Sequence, residues 1–246
     1  MYTAQLLTDA KSLLVLGMSL SNIATDVGTI GPMIDQVQTT HGLKLSEIHA
    51  DAAYASLLDL KACKERNIDI FAPVQENGLT KEKKASLEDN RIPREQFKYN
   101  AEEHNHTCPA GHAMPYKTRE VKRRSGGTVI IERFQQSEEI CQACPLAKQC
   151  LNGTKRRTIV RPIGQEIVEQ QRAKMTKECA ATSRKLRAQT IERTNADIKH
   201  RIGLRRFGSV TLERARNNLA LAIFVLNLMT VRRLLIEAAN SASATT

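Results

Sequence analysis

Two carboxylates, one lysine and four thiols carry the chemistry open to this chain. Asp51 closes the short segment Glu47-Ile48-His49-Ala50, which is predicted to be a strand. Glu192 lies in the middle of Arg187–Arg201, which is predicted to be helical. A carboxylate at a strand end and another on a helix can jointly hold Mg²⁺. A two-metal site of that kind activates water and stabilises the leaving oxygen of an in-line phosphoryl transfer. Lys199 follows Glu192 by two helical turns on nearly the same face, within reach of a backbone phosphate. Spacing alone leaves Glu192 open to a plainer reading, that of a solvated helical residue.

The thiols are Cys108, Cys141, Cys144 and Cys150. Cys141-Gln-Ala-Cys144 is a CxxC, a spacing that lets two thiolates reach one metal. Cys108 comes from the far side of a hairpin that turns at Gly126-Gly127 and pairs Thr118–Lys122 with Val129–Phe134. Four thiolates around tetrahedral zinc would staple a segment expected to be too small for a core of its own. Four unrelated free thiols or a redox CxxC are the alternatives, and His104, His106 or His112 can replace one cysteine as ligand. Cys63 and Cys179 fall in predicted helices as core thiols.

The net charge of +11 and pI of about 9.6 favour a polyanionic partner, most simply nucleic acid. Residues 1–107 carry more acid than base, whereas 108–164 and 181–216 are strongly basic. The longest apolar run, Leu219–Leu228, reads as too short to span a bilayer, so no membrane partner is expected. Six cysteines with no secretory signal argue for a reducing compartment.

Elements must position these groups. Thr3–Leu7 and Ser12–Gly17 read as paired strands, and Thr29–Thr40 as a helix. Glu47–Asp51, Tyr54–Arg66 and Ile68–Pro73 read as strand, helix and parallel strand. Gln75–Asn105 is polar, with a weak helix at Lys81–Glu88. Gln165–Lys177, Ser183–His200 and Thr211–Ile236 read as helices, and Ala238–Thr246 as a frayed tail.

Several blocks resemble the insertion-sequence DDE transposases, in order along nearly the whole chain. His49-Ala-Asp51-Ala-Ala-Tyr54 is similar to the block around that family's second catalytic aspartate, with Ala53 in place of glycine. Thr190-Ile-Glu192, Lys199 and Gly203-Leu-Arg205-Arg206-Phe207 are similar to its glutamate block, and Asn227 to an asparagine in its last helix. Tyr2-Thr-Ala-Gln5 and Thr25-Asp26 match blocks between its first two acidic residues. Cys108-Pro109 and Cys141-Gln-Ala-Cys144-Pro145-Leu146 with Cys150 resemble the cysteine-rich insert of one branch.

The resemblance implies an α/β, RNase H-like mixed sheet with flanking helices, interrupted by a small zinc-ribbon-like insertion. Residues 1–76 would be a partial core, 77–164 linker and insertion, 165–237 the closing helices and 238–246 a flexible tail. It implies Mg²⁺-dependent cleavage and strand transfer at transposon ends, in a bacterial cytoplasm and at the nucleoid. Asp51 and Glu192 would hold Mg²⁺, the four cysteines zinc, and Lys199, Arg201, Arg205 and Arg206 DNA.

Two departures stand out. The family's arginine four residues before the glutamate falls on Ala188, with Arg187 adjacent. The first aspartate belongs to a strand preceding the Tyr2–Gln5 block, and Asp9 and Asp26 match positions outside the triad. The chain is therefore expected to be N-terminally truncated and inactive alone, needing an upstream fragment or a homo-oligomer. A non-catalytic zinc-stabilised DNA-binding remnant and a zinc module with no DNA role are the competing readings.

Overall fold

The computed structural model describes residues 2–75, 92–124, 127–151, 153–208 and 211–243. The helix expected at Lys81–Glu88 lies outside them. The chain divides into two compact units, residues 1–74 with 167–246, and residues 75–166.

In the first unit, β1 (Thr3–Thr8) and β2 (Val15–Ser21) pair antiparallel, with Leu6 opposite Met18. The second strand starts later than its apolar run suggested. Asp9 Oδ2 accepts from the Ser12 N–H and hydroxyl at 2.7 and 2.6 Å, and Leu13 takes a left-handed φ of 65°. That turn consumes Ser12–Leu14. Burial raises the Asp9 carboxyl, but the Ser12 bonds and Lys11 outweigh it and hold the group below its ordinary value. The helix α1 (Ile30–His41) buries Ile30, Met33, Ile34 and Val37 and stops at left-handed Gly42. It lies close on β2 at Gly17, where a Cβ would meet Val37 Cγ2 at 2.8 Å.

Strand β3 (Glu47–His49), helix α2 (Leu57–Glu65) and strand β4 (Asp69–Phe71) form the expected βαβ unit, with Ile48 opposite Ile70 in parallel. Asp59 in the first turn of α2 is fully buried. Its carboxylate accepts from Gly28 N at 2.9 Å, Ile30 N at 3.1 Å and the Ser56 hydroxyl at 2.5 Å. One anion thus caps the start of α1 from the start of α2.

The second unit is a five-stranded antiparallel sheet in sequential order: β5 (Lys98–Asn100), β6 (Asn105–Thr107), β7 (Ala113–Arg124), β8 (Gly127–Gln135) and β9 (Thr158–Pro162). Two one-turn helices, α3 (Glu138–Gln142) and α4 (Ala147–Leu151), join β8 to β9. Ile92, Phe97, Met114, Phe134 and Ile159 are buried together. The segment expected to be too small for a core of its own has one, with Met114, Phe134 and Ile159 contributed by β7, β8 and β9 and Ile92 and Phe97 by the chain before β5.

The chain returns through α5 (Gln165–Lys174) and α6 (Lys177–Arg187), whose side chains close the outer edge of β4. Gln171 Nε2 donates to the carbonyls of Ile70 and Ala72 at 3.1 and 2.9 Å. Lys174 Nζ bonds the Ile70 carbonyl and Asp69, and Ser183 Oγ donates to the Phe71 carbonyl. These helical side chains do the work of a further strand at this edge. A π turn, Ala188–Glu192, leads into α7 (Arg193–His200).

The last helix, α8 (Leu212–Ser243), buries Ala215, Leu219, Ala222, Ile223 and Leu226, four of them against Val15, Leu20 and Ile198. The tail expected to fray from Ala238 stays helical through Ser243, where its alanines favour the helix. By length and composition α8 could cross a membrane, its most apolar window having a mean hydropathy of 2.0; the apolar run extends further than expected.

Asn227 binds β2 as a strand would: its Oδ1 accepts from Val15 N and its Nδ2 donates to Val15 O, both at 2.9 Å. Asn227→Ala leaves both backbone groups unpaired. The expected cost is about 2 kcal/mol in a urea-unfolding measurement.

The architecture is thus mixed α/β. Among the described residues the first unit contains two two-stranded sheets in place of the single mixed sheet expected for it, and a five-stranded antiparallel sheet lies in the second unit.

Candidate functional site

Asp51 follows β3 as the N-cap of the 3₁₀ turn Ala52–Tyr54, exposed, with Oδ1 accepting from Ala53 N at 2.8 Å. Ala53 has no positive φ, so alanine serves where the family block has glycine. The strand below is fixed by His49. Its ring stacks on Phe71 at 4.7 Å, and its Nδ1 lies 3.1 Å from Ser183 Oγ on α6. Burial pushes the His49 imidazole below its ordinary value, against the pull of Glu47.

Beside Asp51, burial pushes the Tyr54 phenol up, helped by the charges of Asp26, Asp51 and Asp59. These three carboxylates therefore all act on one hydroxyl. Asp26 also accepts from Gln5 Nε2 at 2.8 Å, whereas Asp9 is occupied by its turn.

Glu192 is exposed at the end of the π turn in the helical run Lys177–His200. Within it, Thr190 Oγ1 donates to the Leu186 carbonyl at 2.8 Å. A π turn closes i to i+5, so it takes up one extra residue. The turn therefore changes the register between Arg187 and Glu192, which stand five residues apart across it. Arg187 is partly buried, and its Nε is buried without a hydrogen-bond partner.

Lys199, Arg201, Arg205 and Arg206 are all exposed. Arg201 pairs with Asp197 at 3.5 Å, and Arg205 lies 3.3 Å from His200 Nδ1. Beneath them Ile198 is buried and Ile202, Leu204 and Phe207 pack against the same cluster, which fixes the backbone that carries the cations.

In the second unit Cys108, Cys141, Cys144 and Cys150 line one cavity of about 30 Å³ together with His112. Burial raises the Cys150 thiol, the other three thiols add to the rise, and Arg157 opposes it. His106 is instead buried among Tyr99 and Phe134, with Nδ1 3.2 Å from the Phe97 carbonyl, and His104 lies 3.5 Å from Glu132. Among the described residues no three His, Cys, Asp or Glu side chains are already gathered as a metal ion would require. Cys63 is buried as expected and its thiol pushed up to about 11, mainly by burial; Cys179 is only half-buried, because it stands in the exposed first turn of α6.

No curated protein and no solved structure matches the chain. A family profile does match, described as a transposase DDE domain, over residues 107–232. That span takes in all four clustered cysteines, the π turn, Glu192 and the basic residues through Arg206, and leaves Asp51 outside. It covers just over half of the chain, and the chain therefore belongs to the transposase DDE domain family.

Proposed function

We propose that this chain is part of an insertion-sequence transposase, from the branch with a cysteine-rich zinc insert, and acts on transposon-end DNA in the bacterial cytoplasm. The carrying observation is the helical run Lys177–His200. It is tied to β3 by the Ser183–His49 bond, and it carries Arg187 and Glu192 on either side of one π turn. Asp51 and Glu192 are exposed, hard oxygen donors of the type Mg²⁺ takes. Bound there, Mg²⁺ would supply water activation and charge stabilisation for phosphodiester cleavage. Arg187 would hold the Glu192 carboxylate in place, and Lys199, Arg201, Arg205 and Arg206 would bind phosphates.

Residues 1–74 with 167–246 would then be an RNase H-like core, and 75–166 its insertion. A third carboxylate is needed, and the motifs assign it to no residue of this chain. Among the described residues, β1 has a strand partner only in β2, and β3 only in β4, which leaves edges for a strand that would bring it. The four thiols and their shared cavity are a donor set suited to zinc, which would hold α3 and α4 against the sheet.

Duplex binding tests this reading by fluorescence anisotropy. Affinity should fall steeply with salt, and replacing all four basic residues by alanine should flatten the log–log slope by about 3 to 4, near 0.9 per phosphate contact. The chain alone should not nick plasmid in Mg²⁺. Salt-independent binding or none would contradict the DNA role. Nicking lost in both Asp51→Ala and Asp26→Ala would make Asp26 the third carboxylate.

A further inference from the structure

The β7–β8 hairpin outruns the sheet to which it belongs. Among the described residues β6 pairs with β7 only over Ala113–Pro115, and β9 pairs with β8 only over Ile131–Gln135. Beyond the pair Val121–Ile130 the two strands run on alone, as far as Arg124 opposite Gly127. This free end is basic. Residues 113–135 contain six Lys or Arg and two Glu. Both acids are taken up by arginines of the facing strand, Glu132 by Arg119 and Glu120 by Arg133, each at 2.7 Å. Lys122, Arg123 and Arg124 then follow Val121 with no acid among them. Strand alternation sends Arg123 to the face of Val121 and Lys122 to the opposite face. Val121 and Ile130 stand opposite each other across the ladder, 66% and 39% exposed. An apolar pair is thus held open to solvent among cations.

We propose that this ribbon lies in the major groove of duplex DNA, with Val121 and Ile130 against thymine methyl groups and Lys122 and Arg123 on the phosphates of the groove walls. The inference rests on the DNA-binding reading of the chain and adds to it a readout of base identity, by a segment that no motif marks. The major groove is about 12 Å wide and admits a two-stranded β-ribbon, whose strands lie about 4.8 Å apart. The thymine methyl is the apolar group that base edges present there. An apolar pair flanked by cations therefore matches a floor of methyls between walls of phosphate. The minor groove is the poorer occupant, being only about 6 Å wide and without a methyl. The same face of a second copy is poorer still, because it would bring two sets of lysine and arginine together.

Alternating d(A-T) and d(A-U) duplexes differ only in the thymine methyl and so isolate this contact. In anisotropy titrations of the full chain, d(A-T) should bind about fourfold tighter for each methyl covered. Val121→Ser with Ile130→Ser should remove that difference and leave the affinity for d(A-U) at the wild-type value. Far-ultraviolet circular dichroism should not change, since both side chains are exposed. Lys122→Gln with Arg123→Gln should weaken both duplexes equally and flatten the log–log salt slope by about 2. Equal wild-type affinity for the two duplexes overturns the proposal, as does a difference that survives the double serine variant. A double serine variant that weakens both duplexes alike would make the pair a support of the ribbon, and overturns the proposal too. Wild type that binds neither duplex removes the DNA role itself, and this inference with it.

Discussion

Asp59→Ala is expected to cost about 4 kcal/mol, a large share of the 5–15 kcal/mol that holds a domain folded. The carboxylate is fully buried and receives two backbone N–H groups from the start of α1 and one hydroxyl from Ser56. Alanine leaves the buried Ile30 donor and the half-buried Gly28 donor with no acceptor, at about 1–3 kcal/mol for a buried one. It also removes both side-chain bonds that join the start of α1 to the start of α2. Asp59→Asn keeps an acceptor and should cost about half as much. Urea unfolding followed by circular dichroism measures both, and a loss below about 1 kcal/mol for alanine would show that this anion does not tie the helices together.

Zinc content is the second large effect. Purified without chelator, the chain should contain one zinc per molecule. Cys141→Ser or Cys144→Ser should lose it, along with several kcal/mol of stability in the second unit. Pairing of β7 with β8 should persist in these variants, because Phe134 and Ile131 remain buried whatever the thiols do. The pH dependence has a definite sign. Burial and the neighbouring thiols favour the protonated form of Cys150, and zinc requires the thiolate. Zinc affinity, and the stability it adds, is therefore present at high pH and lost as pH falls and the thiols regain protons. A chain that melts identically with and without chelator at pH 8 would show that the cysteines pack without a metal.

The parts legible in the sequence were those written in periodicity. The βαβ unit at 47–71, the β7–β8 hairpin and the buried face of α8 follow from apolar spacing at periods 2 and 3.6. What escaped were single polar residues that meet backbone far away in the chain. Gln171, Asn227 and Asp59 look like ordinary surface choices for a helix. Their partners, the carbonyls of Ile70 and Ala72, the two backbone groups of Val15 and the N–H groups of Gly28 and Ile30, come from distant positions. Local spacing carries no trace of them. The start of β2 was misread for a related reason: Leu13 and Leu14 are good strand formers, but the Asp9 carboxylate claims Ser12 first. At the candidate site, Glu192 and Asp51 are expectations drawn from motif resemblance. The π turn before Glu192 is a backbone event that local spacing does not announce.

The central claim is that Asp51 and Glu192 hold one divalent metal. Replacing Mg²⁺ by Fe²⁺ and adding ascorbate and peroxide generates hydroxyl radicals at the bound ion, which cut the nearest backbone. The fragments should map beside Asp51 and Glu192 together. Excess Mg²⁺ should suppress both cuts, and either Asp51→Asn or Glu192→Gln should remove both. Cuts beside only one of the two, or a pattern unchanged by either substitution, would contradict the shared site.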